Sequence, residues 1–326
     1  MNTRNRMKPA KIITAFFLSA LFFTACNNDD NQSQTELPKA ALTNIEIGLN
    51  NNEMGIAGRD FHFNADVLAG YKIDKIEVKI LPRNGEKYSK EWKHEIIWEQ
   101  YKGAKNTNVH KHFTIPEDAV EGTYDFVIIV NDQNGSILEQ KHSISIYKPD
   151  NLPVDPKLDE FSVSARTDKS RVLYILSRGG YRDPATLQYG DYEVKIDNNE
   201  TLSAAATISG LKGDGKIYIV LINKKHSHRP ESINAIDFSK AIVVDAFEHK
   251  NMEQTDKWSN VNFERPNFPN ISRLPIGSST DNNSPISNSI DGHKIWESGK
   301  YYIGVIYKNT TYNIGLYHYI EVDVKL

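Results

Sequence analysis

Apolar and polar residues alternate in short runs along most of this chain, the period-two pattern of half-buried β-strands. Phe61, Phe63, Ala65 and Val67 share one face of a strand over 59–67, so Asp60, His62, Asn64 and Asp66 face the other way. The same period runs through Ile76, Val78 and Ile80. It recurs in Val109, Phe113 and Ile115, where Lys111 is the polar member of an apolar face. Residues 124–130 are apolar on both faces towards their end, as in a central strand, and Asn134-Gly135 marks a hairpin turn into a strand over 141–146. With a further strand over 42–47, this makes an immunoglobulin-like or fibronectin-like sandwich over 41–147. Gly122-Thr123-Tyr124 has the form of a tyrosine corner.

Lys148 to Pro156 carries Pro149, Pro153 and Pro156, which cannot lie inside a sheet and predict an extended spacer over 148–156. Beyond it, 157–326 predicts a second sandwich-like domain, with strands over 161–165, 172–177, 192–196, 216–222, 241–247, 301–307 and 316–324. Gly190-Asp191-Tyr192 and Gly299-Lys300-Tyr301 echo the Gly-x-Tyr of the first domain. The fold class is therefore all-β, two tandem sandwiches with little helix. Two stretches resist assignment. Residues 82–107, with Trp92, His94, Trp98 and Tyr101, hold either an extra strand or a short helix, and 258–298 read as a long irregular excursion. Trp92, Trp98 and Trp258 fall outside the clear strands and are the aromatic surface candidates.

The N-terminus changes where this fold is expected to sit. Arg4, Arg6, Lys8 and Lys11 precede an uncharged apolar run over 12–23, too short to span a bilayer but suited to a signal peptide. Phe23-Thr24-Ala25-Cys26 resembles the lipobox of bacterial lipoproteins, although Phe23 and Thr24 depart from its commonest form. Cys26 is the only cysteine of the chain and stands where lipidation needs it. Residues 1–25 then read as a signal peptide and 26–40 as a lipidated tether. Asp29-Asp30 resembles the acidic export signal of surface-exposed lipoproteins in Bacteroidota. The expected location is the outer membrane, lipid-anchored and facing outward. Removing residues 1–25 takes away four positive charges and no negative one, moving the formal charge from −3 to −7. An acidic chain without a basic block argues against nucleic acid as a partner.

No nucleotide-binding loop, nucleophile elbow, zincin motif or paired-cysteine motif occurs, and no carboxylate pair stands out as an acid/base couple. The histidines carry the chemistry. In an immunoglobulin-like sandwich the strands over 59–67 and 109–115 are neighbours, so His62, His110 and His112 share the outer face of adjacent strands. Three imidazoles there can converge on one cation, with Asp60 or Asp66 as fourth ligand; zinc or copper suits such donors, as do nickel and iron. The same residues also fit a polar sheet face with no ligand, and only the register of the ladder separates the two readings. His94 is a candidate addition to the set. His142 reads as a rim residue, and His226 and His228 as part of a solvated loop.

Ile45-Glu46-Ile47, Gly58 to Asp66, Ile73 to Ile76, His110 to Pro116, and Gly122-Thr123-Tyr124 with Val130 to Gly135 together resemble a Bacteroidota lipoprotein family. It is known only as domain of unknown function forty-six twenty-five, and the resemblance covers residues 40–147. It implies a lipidated β-rich protein, often richer in histidine; here Asp125 and Val127 stand where the family frequently has histidine. The resulting expectation is a non-catalytic binding protein. It captures a metal ion or metal complex for an outer-membrane transporter or, alternatively, is an adhesion or assembly module that binds a glycan or protein.

Overall fold

The computed structural model describes residues 39–261 and 271–326; the expected signal peptide over 1–25, Cys26 and nearly all of the expected 26–40 tether lie outside them. The first half contains β1 (Ala41–Ile47), β2 (Met54–Ile56), β3 (Asp60–Leu68), β4 (Ile73–Pro82), β5 (His94–Trp98), β6 (Asn106–Thr114), β7 (Gly122–Asp132) and β8 (Ile137–Tyr147). They form a three-stranded sheet, β1-β3-β6, facing a five-stranded sheet, β2-β8-β7-β4-β5. The inward residues of the alternating strands meet as one core in which Phe61, Phe63, Phe126 and Tyr124 are fully buried. Lys111, the polar residue on an apolar face, puts its ammonium over the Tyr101 ring 5.5 Å away, so its stem covers the core while its charge is met by the ring. Tyr124 closes the tyrosine corner by donating its hydroxyl to the Val120 carbonyl at 2.9 Å.

The unassigned insertion contains β5, an edge strand paired to β4. Its tryptophans correct the surface reading: Trp92 and Trp98 are both buried, Trp98 stacking on Phe63 at 5.7 Å. Two large rings seal the sandwich edge, which explains why so polar an insertion carries them. Trp258 is half-buried and stacks on the exposed Phe247 at 5.5 Å.

The second half contains β9 (Lys157–Arg166), β10 (Ser170–Ile175), β11 (Gly180–Arg182), β12 (Tyr189–Gly190), β13 (Lys195–Asp197) and β14 (Thr201–Asn223). After these come β15 (Ala241–Ser259), β16 (Leu274–Pro275), β17 (Gly299–Asn309) and β18 (Ile314–Lys325). Among the described residues these strands are joined by short 3-10 turns and there is no α-helix. All ten belong to one sheet. Its spine is the 23-residue β14, which pairs β9 along its first part and β17 along its last, with register shifts between. The two parts of the sheet share a single core, from Phe161, Val163 and Leu202 to Ile219, Val305 and Ile320, as the two layers of a sandwich do. Tyr301 repeats the tyrosine corner, donating to the Glu297 carbonyl at 2.9 Å.

The loop 224–240 between β14 and β15 lies on the outer face of that sheet, where Ile233, Ile236 and Phe238 pack on Tyr218, Val220, Val243 and Ile306. The proline-rich stretch between the halves is tied down at its end. Arg59 donates through both guanidinium nitrogens to Asp155, at 2.5 and 2.9 Å, and the Asp155 amide donates to the Gly210 carbonyl. Gly210 holds a left-handed conformation (φ 71°), and a Cβ there would strike the Asp155 carbonyl.

Phe63 tests the first core. Phe63→Ala empties a site lined by Trp98 and Phe126 and should lower unfolding free energy by about 3–5 kcal/mol. Ile137→Ala, at an exposed position, should stay within about 0.5 kcal/mol of the parent. Urea titrations followed by tryptophan fluorescence make the comparison, and equal effects would show that this core is misplaced.

Candidate metal centre

β3 and β6 run antiparallel with His62 directly opposite His112 and Asn64 opposite His110. Because side chains alternate, all three imidazoles stand on the outer face of the β1-β3-β6 sheet. Their centroids lie 5.1 Å (His62–His110), 5.2 Å (His62–His112) and 5.4 Å (His110–His112) apart. This register brings the rings together as the sequence pattern requires. The face is not simply exposed, because the 224–240 loop of the second half reaches over it. His62 retains 7% of its accessible surface.

That loop delivers the fourth member. Glu231 Oε2 lies 2.9 Å from His112 Nε2, 3.2 Å from His62 Nδ1 and 3.6 Å from His110 Nε2. One carboxylate oxygen thus faces a nitrogen of each ring. Ligands about 2.0–2.1 Å from a tetrahedral zinc are about 3.3 Å from one another, so these three separations straddle a tetrahedral edge. The candidate ligand atoms of His62, His110, His112 and Glu231 all fall within 4.8 Å of one another. His110, almost half exposed, has the freedom to close the wider gaps. Glu231 is held where it is by its neighbours: the Pro230 carbonyl accepts from the Tyr319 hydroxyl, and His228 Nε2 accepts from the Asp237 amide at 3.0 Å. His228 is therefore a brace inside the loop and not the solvated residue expected. Burial keeps its pKa below the ordinary value, which suits an acceptor.

A second ring of carboxylates holds the imidazoles. Asp60 Oδ2 lies 2.6 Å from His112 Nδ1, which fixes that nitrogen as the donor and aims Nε2 at Glu231. Glu46 Oε2 lies 3.4 Å from His62 Nε2, an ionic contact that leaves this buried nitrogen without a hydrogen bond. Asp60, one of the two predicted fourth ligands, is thus a support for a ligand. Asp66, the other, pairs with Asn108, one alternate pair beyond His110, and accepts from Asn44 and Asn108 at 2.7 and 2.8 Å. Those amides hold its pKa down, and it takes no part in the cluster. His94 lies in the opposite sheet, stacked near Trp92, and does not join either.

Sequence reasoning missed Glu231 because its partners lie 169 and 119 residues away, beyond any periodicity. His-Ser-His-Arg-Pro-Glu in a loop gives no local sign of what it covers. Electrostatics follow from the packing. Burial alone lowers the His62 pKa, but Glu231 and Glu46 more than offset this and raise it from 6.5 to about 9. Burial opposes ionisation of Glu231, and the three histidines outweigh it, lowering its pKa from 4.5 to about 2. With neutral rings, the carboxylates of Glu46, Asp60 and Glu231 leave three negative charges around three lone-pair donors. A cation must balance them, either as protons on the rings or as a metal among them.

Residues 24–147 match the family model described as "Domain of unknown function (DUF4625)". No curated protein matches the chain. Among solved structures, dimeric latent PorU from Porphyromonas gingivalis is similar at 10% identity over 88% of this chain and 24% of that one, with a TM-score of 0.25. This chain thus spans about a quarter of that protein's length. A structure described as a promiscuous carbohydrate-binding module of the β-sandwich superfamily is similar at 9% identity, over 88% of this chain and 92% of that one, with a TM-score of 0.22. Similarity at such scores carries no inference about this chain.

In metal-free protein the site should impose a defined pH profile. The raised His62 pKa contributes stability that is complete below pH 6.5 and lost as pH rises through about 9. The lowered Glu231 pKa contributes stability complete above pH 4.5 and lost as pH falls towards about 2. The combined contribution is greatest between pH 4.5 and 6.5. With EDTA present, urea midpoints should fall between pH 6 and 9 in the parent and fall less in His62→Asn; identical slopes would refute the placement of His62 between carboxylates.

Proposed function

We propose that the chain is a non-catalytic metal-binding lipoprotein that captures a divalent transition metal at His62, His110, His112 and Glu231. The convergence of a nitrogen from each of three rings on one Glu231 oxygen, at 2.9, 3.2 and 3.6 Å, is the observation that carries this reading. Imidazole-rich donors favour zinc or copper over magnesium and calcium. Four protein ligands leave no open position for a reacting water, which separates this arrangement from a catalytic zinc site.

The proposed location is the outer surface of the outer membrane, anchored through acylated Cys26. The basic n-region, the apolar run over 12–23, Ala25-Cys26 and Asp29-Asp30 support it. In that position a stoichiometric metal binder concentrates a scarce nutrient beside its uptake route, and an outer-membrane transporter is the partner we propose.

Protein purified without a histidine tag and stripped with EDTA should take up one equivalent of zinc, seen by calorimetry and by elemental analysis after desalting. His110→Ala/His112→Ala should abolish uptake at micromolar zinc, and Asp66→Asn should bind like the parent. Absence of zinc binding by the parent at micromolar metal would overturn the proposal.

A further inference from the structure

We infer that the bound metal is the latch that holds the two β-sandwich halves together, so that capture and release of the ion are coupled to closing and opening of their junction. This inference rests on the metal-binding reading above and extends it from occupancy to control.

The donors come from both sides. His62, His110 and His112 stand on β3 and β6 of the first half, on a rigid ladder. Glu231 belongs to the second half, on a loop fixed there by Tyr319, by the His228 brace and by the apolar seat of Ile233 and Phe238. An ion held by all four therefore bridges two bodies that the chain itself joins only through residues 148–156.

Apart from the Arg59–Asp155 pair, the junction holds side chains that find few partners in the protein. Asn50, on the first half, is 93% buried against Gly315 of the second, yet neither side-chain amide atom has a hydrogen-bond partner. The facing Asn313 donates to the Asn50 carbonyl at 3.3 Å, but its own Oδ1 is buried and unpartnered. Opening would return these groups to water, where their hydrogen bonds are readily made. The contact is also incomplete in shape. A cleft of about 440 Å³ runs along it, with Leu49, Met54 and Phe61 on one wall and Ile314, Leu316 and Tyr317 on the other, and it reaches His62 and His112.

Without the ion, only the contacts from Glu231 to the three rings join the loop to the sheet at this point. Opening leaves three histidines on one sheet face and removes Glu231, a weaker three-donor site. Coupling of this kind is reciprocal: the metal favours the closed junction, and whatever opens the junction lowers metal affinity by the same factor. A partner that parts the halves would discharge the ion without competing for a single ligand.

Spin labels test this on the full chain carrying Cys26→Ser, with Ile137→Cys on the first half and Ile286→Cys on the second, both at exposed positions. Electron–electron distance measurements with EDTA should give a broad distribution, and one equivalent of zinc should collapse it to a single narrow one. Glu231→Gln should bind zinc at least about tenfold more weakly and stay broad when saturated, a loss of about 1.4 kcal/mol or more. Asp155→Ala breaks the Arg59 pair without touching a ligand and should weaken zinc about threefold or more, with circular dichroism confirming an intact fold. Stoichiometric zinc binding with the same distance distribution with and without metal would overturn the latch and leave the binding site standing. No zinc binding by the labelled parent, at concentrations where calorimetry is sensitive, would overturn both.

Discussion

The whole site depends on the register of β3 against β6. A one-residue slip would turn His62 into the core and Phe61 and Phe63 out to water, so burial of those two rings fixes the face on which the imidazoles stand. A two-residue slip would keep the face but separate His62 from His112 by about 6.6 Å along the ladder. Phe61 against Phe113, with centroids 5.1 Å apart, and the pairing of Ala65 with Val109 lock the alignment from the inside. Packing energy in the core thereby sets ligand geometry on the surface.

Much of this was legible from residue patterns alone. Alternation at 59–67, 73–80 and 109–115 specifies strands, inward and outward faces and the three histidines, because a sheet makes neighbours of residues that alternate. What it cannot specify is a partner brought by another layer. Asp66 was the natural fourth ligand on the same face, but the Asn44 and Asn108 amides occupy its oxygens. Strand length in the second half was also hidden. Ala204, Ala205, Ala206, Gly210 and Gly213 have weak strand propensity, yet Leu202, Ala204, Ala206 and Ile208 alternate inward along β14 because tertiary pairing overrides propensity. Trp92 and Trp98 misled in the opposite sense: a charged surrounding sequence concealed rings that seal a core edge.

The carboxylate shell gives the histidines their chemical character. Imidazole alone is a modest donor that loses its proton near neutrality. Asp60 behind His112 orients that ring, and Glu231 and Glu46 raise the basicity of His62, at the cost of a strong preference for some cation in their midst. The site is in that sense built around a positive charge before any particular ion is considered. Its inner oxygen comes from a separately anchored loop, so the charge balance and the contact between the two halves are parts of one arrangement.

The direction of β1 has a topographical consequence. Ala41 pairs with Leu68 at one end of the ladder, whereas Ile47 pairs with Phe63 beside the histidines. The first described strand therefore begins at the end of the ladder remote from His62, six residues along β3, on the order of 20 Å at strand rise. The start of the first described strand and the histidine cluster thus occupy opposite ends of the same ladder. Whatever approaches the cluster from the histidine end of the ladder meets the 224–240 loop and the cleft beside it before it meets β1.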